Sequence, residues 1–338
     1  MRTIIGFFIT TFFIVSCVGH NSPNPPQMKK TPESIARENA TKLVQVLYSW
    51  QLFDSVYDGL RPEYAIVKDP VTKKDYNSAL YIRNAQGKIE PYLVITRGYE
   101  PGKPSLVSSG NCTGFIISND GFILTSSDAS TGWNSLYNFT DAAFPGSLVS
   151  IENRKQKITP GVVRKEDLAG WKAANATMIN GKNIAPGQIK GKLYGIDIFF
   201  SGSPFHKYAV VSKTSSDHGI AIIKVDVPEV LDTLVMKDNF NEVQAGAAVI
   251  VPGYAPASTI LSGPYYTLVN KAPVPRISIG NINKTIVASP DKILNSVFGD
   301  VFTLSINSTD DCIDGAPVFD DNGNVIGVYN HGKDEKMK

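Results

Sequence analysis

The chain has 338 residues, with 33 lysines and arginines, 31 aspartates and glutamates, and a formal net charge of +2. A hydrophobic fraction of 42% excludes a disordered or collagen-like chain, and the small net charge gives no general attraction to nucleic acid. Three cysteines are too few for a disulfide scaffold, so their odd number needs another explanation.

The first 16 residues have the pattern of an export signal. Arg2 precedes an uncharged apolar run over residues 4–15, which is shorter than the ~20 residues that span a bilayer. The run ends in IVSC, residues 14–17, which resembles the lipobox of bacterial lipoproteins. The resemblance implies cleavage before Cys17 and lipidation of that residue. The alternative is an ordinary signal peptide followed by a chance cysteine.

Lipidation of Cys17 would place the protein in the bacterial cell envelope. A lipid chain holds a protein at a membrane without a spanning helix. Val18 stands where inner-membrane lipoproteins often carry aspartate, so the resemblance implies the outer membrane. Residues 17–30 are rich in proline and asparagine and have no apolar period, which predicts a flexible tether.

Residues 31–87 are predicted to form a helical extension. Thr31-Pro32 is a helix-start signal, because a hydroxyl caps the first turn and proline suits its first position. Five apolar residues then follow at helical spacing: Leu43, Val46, Leu47, Trp50 and Phe53. The pattern predicts an amphipathic helix from Thr31 to about Tyr57, which packs on the next domain or binds a partner.

From about residue 88 the sequence changes to short β-rich runs separated by Gly, Asn and Pro. The runs are YLVIT, TGFIIS, GFILTS, IDIFF, YAVVSK, IAIIKV, AAVIV, VFTLSI, APVF and NVIGVY. Many short strands with turn signals between them predict an all-β barrel or sandwich.

No motif predicts a cofactor or a metal. The sequence has no P-loop, no dinucleotide-binding glycine motif after a strand and no HExxH. The four histidines do not stand at metal-ligand spacing: His20, His206, His218 and His331.

Four segments, in family order, resemble trypsin-like serine proteases of the Deg/HtrA kind. TGFIISNDGFILTSSD, residues 113–128, resembles the segment that ends in the catalytic histidine, and residues 208–225 resemble the stretch that carries the triad aspartate. VQAGAAVIVPGY, residues 243–254, and CIDGAPVFDDNGNVIGV, residues 312–328, resemble a later family strand and the nucleophile turn with its hairpin.

The resemblance covers about residues 88–331. It implies an all-β fold of two β-barrels of the trypsin-like serine protease kind, preceded by the N-terminal helix. Only a short tail, residues 332–338, follows, so we expect no PDZ domain of the kind that commonly follows the protease domain in Deg-type proteases.

The resemblance fails at the catalytic triad. Asp128 stands at the histidine position, Gly219 at the aspartate position and Asp314 at the serine position. Cys312 replaces the first glycine of the oxyanion turn, whereas Gly315, after the nucleophile position, is kept. Serine-protease chemistry needs an imidazole that moves the proton and a hydroxyl that attacks. We therefore expect no such chemistry from this chain.

The two carboxylates leave three interpretations open. Asp128 and Asp314 would face each other, and two carboxylates that share a proton within ~3 Å form the dyad of aspartic proteases. A divalent cation between them is the second interpretation, although two carboxylates alone are a sparse site. The third is a pair of solvated residues in a decayed cleft.

The other two cysteines are distant in sequence but close in the family's fold. The resemblance places Cys112 on the strand beside the nucleophile turn, which carries Cys312, and so predicts a Cys112–Cys312 disulfide in an oxidising compartment. The alternative is two free buried cysteines.

Residues 129–192 are longer than the family's usual interval and are predicted to be an insertion. They contain nine basic and four acidic residues. Loops on a rigid barrel often carry binding sites, so the insertion either docks a partner or is a solvated elaboration.

The leading functional hypothesis is a catalytically inactive trypsin-like lipoprotein that binds a protein or an extended peptide. The strand Val328-Tyr329-Asn330 would form a wall of the old cleft and take the peptide by strand addition. One alternative is a peptidase that acts through an unorthodox site. The other is a membrane-tethered structural spacer.

Overall fold

A computed structural model describes residues 30–54, 58–96, 106–152, 155–203, 205–215, 218–237, 243–254, 259–262, 265–268, 273–286, 301–306 and 313–330. The described ranges contain two α-helices, α1 (Pro32–Asn39) and α2 (Asp128–Thr131), together with short 3-10 turns and 22 strands. None of the helices in these ranges is long and apolar enough to cross a membrane.

The first fifteen strands lie between residues 43 and 225. They are β1 (Leu43–Asp54), β2 (Gly59–Pro62), β3 (Tyr64–Lys68), β4 (Asp75–Arg83), β5 (Ile89–Pro91), β6 (Leu93–Thr96), β7 (Val107–Ile116), β8 (Phe122–Ser126), β9 (Gly146–Glu152), β10 (Lys155–Val163), β11 (Met178–Ile179), β12 (Lys182–Asn183), β13 (Ile189–Phe200), β14 (His206–Ser215) and β15 (Ile220–Val225). The last seven are β16 (Ala248–Tyr254), β17 (Thr259–Ser262), β18 (Tyr265–Leu268), β19 (Pro275–Ile286), β20 (Val301–Ile306), β21 (Pro317–Phe319) and β22 (Val325–Val328).

Six antiparallel strands close into a barrel. Their order is β1-β7-β8-β15-β14-β13, and β13 returns to pair with β1. The barrel interior contains an apolar cluster in which Val46, Ile116, Ile198 and Ile223 are fully buried. The circle is complete only in part, because β14 pairs with β13 at residues 206–208 and not beyond.

A second antiparallel sheet, ordered β20-β19-β16-β21-β22, follows the barrel along the chain. Tyr254, at the end of β16, joins the two bodies. Its hydroxyl donates to the carbonyl of Leu43 at 3.1 Å, and its backbone N–H donates to Thr113 Oγ1 at 3.0 Å. The barrel and the second sheet are therefore held together by buried hydrogen bonds on β1 and β7.

A third sheet, ordered β10-β9-β4-β3 with β5 on β4, unites two distant segments of the chain. β4 and β9 pair in parallel, with Leu80 opposite Ser147. The predicted insertion, residues 129–192, is divided among three sheets: β9 and β10 share this sheet with residues 64–91, β11 and β12 pair with each other, and the start of β13 belongs to the barrel. It is not a separate loop on the barrel.

The predicted helix from Thr31 to Tyr57 is wrong beyond its first turns. Its start is confirmed: Thr31 Oγ1 accepts from the N–H of Ser34 at 3.2 Å, and Pro32 opens α1. The helix ends at Asn39, and Leu43–Asp54 forms β1, a barrel strand. The barrel therefore begins at residue 43 and not at residue 88. Between residues 44 and 52, apolar Val44, Val46, Tyr48, Trp50 and Leu52 alternate with polar Gln45, Ser49 and Gln51, a strand pattern that Leu47 alone interrupts and that the helical spacing masked.

The predicted fold class is confirmed. The chain is all-β, with a closed six-stranded barrel and a second antiparallel sheet, as expected for the trypsin-like architecture. Each of the ten runs that the sequence analysis predicted as β overlaps a strand of the structure.

Candidate functional site

Backbone hydrogen bonds bring the three triad-equivalent positions to one region, where β7 and β8 meet the second sheet. The N–H of Ser127, next to Asp128, donates to the carbonyl of Gly219 at 2.8 Å. The N–H of Thr113 donates to the carbonyl of Asp314 at 2.9 Å. Asp128 and Asp314 are both half-buried. The region thus carries two carboxylates where a trypsin-like protease has its histidine and serine.

Asp128 is the first residue of α2, directly after β8. Its N–H donates to Ser126 Oγ at 3.3 Å, and Ser126 and Ser127 are both buried. The helix lasts only four residues before the chain turns again at Gly132. The position of Asp128 is therefore fixed by the end of a barrel strand.

A side chain at position 219, the predicted triad-acid position, would need a left-handed backbone and a shift of Asn330. Gly219 has φ +67°, a left-handed conformation that strongly favours glycine. A Cβ placed on Gly219 would overlap the Asn330 amide nitrogen, which itself donates to the Gly219 carbonyl at 3.1 Å. The side chain of Asn330 thus fills the space that the Cβ of a triad aspartate would need.

The nucleophile turn is held against the barrel by its own glycine. Gly315 has φ +82°, and a Cβ there would overlap the carbonyl of Thr113 and the N–H of Ser126. The N–H of Gly315 donates to the carbonyl of Tyr329 at 2.8 Å. Close backbone packing therefore explains why glycine is kept at this position although the catalytic residues are not.

The strand predicted to form the peptide cleft lies beside this turn. β22 pairs with β21, with Val328 opposite Pro317. Both backbone groups of Tyr329 bond inward, its N–H to Ala316 and its carbonyl to Gly315. Since backbone groups alternate along a strand, those of Val328 and Asn330 face the other side. Near the start of β22, Met236 forms an isolated parallel bridge with Val325 and the N–H of Lys237 donates to the Val325 carbonyl at 2.9 Å, whereas no described strand pairs with the outward side of Val328.

Only Cys112, one of the two cysteines of the predicted disulfide, lies within the described residues. Cys112 is 2% exposed on β7, and its Sγ lies 3.2 Å from Thr125 Oγ1. Its neighbour Thr113 bonds to Asp314, two residues after Cys312. Cys312 lies outside the described residues, as does Cys17, so the Cys112–Cys312 bond stays a prediction. A thiol count on the unreduced protein tests it.

The sequence analysis missed a hydroxyl–imidazole pair near the cleft. Ser215 Oγ and His218 Nδ1 are 2.6 Å apart across the turn between β14 and β15. The spacing of three residues between Ser215 and His218 could have indicated this pair from the sequence. The bond joins residues of one turn, and Ser215 does not lie on the nucleophile turn, so this bond stabilises the hairpin.

A buried carboxyl in the third sheet was also missed. Glu90 is 2% exposed, and its carboxylate accepts from the N–H and the hydroxyl of Thr177. Burial raises the pKa of Glu90, and the hydrogen bonds from Thr177 only partly offset that effect. Glu90 lines a cavity of about 540 Å³ between the β4–β5 hairpin and residues 167–177. The contact ties the two segments of this sheet together.

One further acid is buried on the barrel. Burial raises the pKa of the Asp197 carboxyl, and His206, whose Nε2 lies 3.6 Å away, opposes that rise. Within the described ranges, no three His, Cys, Asp or Glu side chains lie together so that they could hold a metal ion. His20 and His331 lie outside those ranges.

Comparisons with known proteins show a similarity of fold and nothing more specific. No family model matches the chain, and no curated protein matches it. The crystal structure of Deg5 is similar at 10% identity and a TM-score of 0.40, over 88% of this chain and 83% of that one. The structure of the HtrA-type protease AlgW with a decapeptide is similar at 11% identity and a TM-score of 0.41, over 90% of this chain and 60% of that one. Values this low carry no information about the site.

Proposed function

We propose that this protein is a catalytically inactive trypsin-like protein that binds a partner protein or an extended peptide in the bacterial envelope. A lipid on Cys17 would hold it at the membrane. One observation carries the proposal: Asn330 occupies the space that the Cβ of a triad acid at position 219 would need. The contact between Asn330 and Gly219 therefore supports a site without a triad acid.

Three separate losses support inactivity. Position 128 has no imidazole that could take and return a proton, and position 314 has no hydroxyl that could attack a carbonyl. A carboxylate with a reference pKa of about 3.9 is a weak base for such a reaction. At position 219, an aspartate would need both a strained backbone and the removal of Asn330.

The outer edge of β22 supports peptide binding. The backbone groups of Val328 and Asn330 face away from β21, and no described strand pairs with them. An extended peptide gains main-chain hydrogen bonds when it adds to such an edge. The hydrogen bonds of Gly315 and Tyr329 hold this edge rigid, and a rigid edge lowers the entropy cost of binding.

Binding at this edge is tested with fluorescein-labelled, reduced casein, which serves as an unfolded chain, by fluorescence anisotropy. Val328→Pro removes an outward N–H donor, so we expect about tenfold weaker binding, the equivalent of one lost hydrogen bond. The matched control is Ile66→Pro on the edge strand β3. The bond from the N–H of Leu80 to the Glu63 carbonyl fixes the alternation there, so the Ile66 N–H also faces outward.

The control variant should bind casein as tightly as the unmodified chain, and both variants should retain its melting temperature within a few degrees. Equal casein affinity in Val328→Pro and the unmodified chain would reject the β22 edge as the binding site.

A further inference from the structure

A second sheet edge lies on the barrel, away from β22. β14 runs from His206 to Ser215, but it pairs with β13 only at residues 206–208. From Ala209 onward, β15 is the only described strand that pairs with β14. The opposite edge of β14 is therefore open, within the described structure, to another strand.

This edge is unusually exposed and apolar. Val210 is 67% exposed and its neighbour Val211 is 37% exposed. Adjacent residues of a strand point to opposite faces, so both faces of β14 meet solvent here. Tyr208 and Phe205, at 76% and 77% exposure, extend the apolar surface. Contiguous exposed apolar surface of this kind marks interaction sites on soluble proteins.

The exposed charges on β13 and β14 have one sign, whereas the exposed Asp226 follows β15. Lys207 and Lys213 are exposed on β14, and Lys190 and Lys192 are exposed on β13 across the gap. The only acid on either strand is Asp197, which is 7% exposed. The edge is therefore complementary to an acidic chain, because each lysine can pair with an outward carboxylate of an added strand.

The same lysines disfavour a second copy of this protein as the occupant. Edge-to-edge pairing of two β14 strands would bring lysines together, and like charges on paired strands are destabilising. A register shift between Val211 and Lys213 also limits the length over which a flat strand can add.

We propose that the edge of β14 from Ala209 to Val211 binds an acidic, extended segment of a partner protein by strand addition. Val210 and Tyr208 pack against the apolar side chains of that segment. Lys207 and Lys213 pair with its carboxylates. This site is independent of the β22 edge and of the loss of catalysis.

The test uses a fluorescein-labelled decapeptide in which glutamate alternates with valine, and the same peptide with lysine in place of glutamate. Binding to the full chain is measured by fluorescence anisotropy at low and high salt. We expect the acidic peptide to bind at least about tenfold more tightly than the basic one, with a difference that shrinks as salt screens the lysines.

Variants then locate the site. Val210→Asp places a carboxylate on the edge and should weaken binding of the acidic peptide by about tenfold or more. Val71→Asp is the matched control, since Val71 is 85% exposed in the turn between β3 and β4 and far along the chain from β14. It should leave the affinity unchanged. Both sites are exposed, so neither change should unfold the protein.

Hydrogen exchange gives a readout specific to strand addition. Saturation with the acidic peptide should slow exchange of backbone amides within residues 209–212. Equal affinity for the two peptides, or unchanged affinity in Val210→Asp, would overturn the proposal. Protection confined to residues 328–330 would also overturn it and would assign the peptide to the β22 edge.

Discussion

At the scale of single residues, Gly219 and Asn330 form a contact at the position predicted for the triad acid. The Asn330 amide donates to the Gly219 carbonyl and lies where a Cβ of residue 219 would point. Gly315 differs, because the atoms that exclude a side chain there belong to the backbone of Thr113 and Ser126. The overlap at position 219 can therefore be relieved by moving or truncating the Asn330 side chain. The overlap at position 315 involves backbone atoms and cannot be relieved in this way.

A double-mutant cycle on Gly219→Ala and Asn330→Ala tests this contact. Gly219→Ala should lower the free energy of unfolding by roughly 1–2 kcal/mol for the left-handed backbone, plus the cost of displacing the Asn330 amide. In the Asn330→Ala background only the backbone cost remains, so the second change should be less destabilising. Urea unfolding measures both values, and strictly additive effects would contradict the contact.

The residues of the site were only partly predictable. The sequence resemblance predicted a site at Asp128, Gly219 and Asp314, because each stands at a fixed place within a recognisable segment. It could not show that Asn330 fills the space beside Gly219, since that contact joins residues 111 positions apart. Contacts over such distances in the chain depend on how the two bodies pack and leave no local pattern.

At the scale of elements, β1 shows how a periodic pattern can mislead. Leu43, Val46, Leu47, Trp50 and Phe53 fit a helical spacing, but all belong to one strand. One face of the strand fills the barrel and the other is also covered, so nearly every position is apolar or buried. Over residues 44–52 the strand also has a period of two, because apolar residues alternate with Gln45, Ser49 and Gln51. Its many β-branched and aromatic residues were the better signal.

The β21–β22 hairpin, which carries the proposed peptide edge, depends on Asp320 in its turn. Burial raises the pKa of this carboxyl, but hydrogen bonds from Asn324 and Asn322 and the charge of Lys237 outweigh it, so the net pKa is lowered. A lowered folded pKa means that the charged form stabilises the fold. This stabilisation is present above the unfolded pKa and is lost as pH falls through the folded pKa.

Asp320→Asn should therefore be less stable than the unmodified chain by roughly 1 kcal/mol near pH 7, because the bonds of Asn322 and Asn324 lose a charged acceptor. The difference should disappear as pH falls below about 4, the reference range of the aspartate pKa. Urea unfolding at several pH values checks this. A stability difference that persists undiminished at low pH would exclude the carboxylate as its cause.

At the scale of the whole molecule, the third sheet was the least predictable part. Its central pairing, β4 with β9, is parallel and joins residues about 67 positions apart, with Leu80 opposite Ser147. Sequence patterns favour local hairpins, whereas such a pairing follows from the packing of two segments on the barrel. Residues 129–192 also contain β9 to β12 and the start of β13, so this region is integral to the fold.

The proposed membrane anchor acts at the scale of the whole molecule, because a lipid on Cys17 would hold both proposed sheet edges near the membrane. Cys17→Ser removes the sulfur that lipidation requires. We expect the unmodified protein in the membrane fraction of the cells that produce it and the variant in the soluble fraction, since a lipid chain supplies the attachment. Immunoblots of the two fractions give the result. A variant that stays in the membrane fraction would contradict anchoring through Cys17.

Hydrolysis of labelled casein by the purified full-length chain tests the central claim most directly. The account predicts that cleavage does not exceed the buffer rate over hours at pH 4, 7 and 9, and that Asp128→Ala and Asp314→Ala leave this unchanged. The range of pH includes the acidic conditions under which a carboxylate dyad would act. Cleavage by the unmodified chain that both substitutions abolish would show that the two carboxylates catalyse hydrolysis, and would contradict the account.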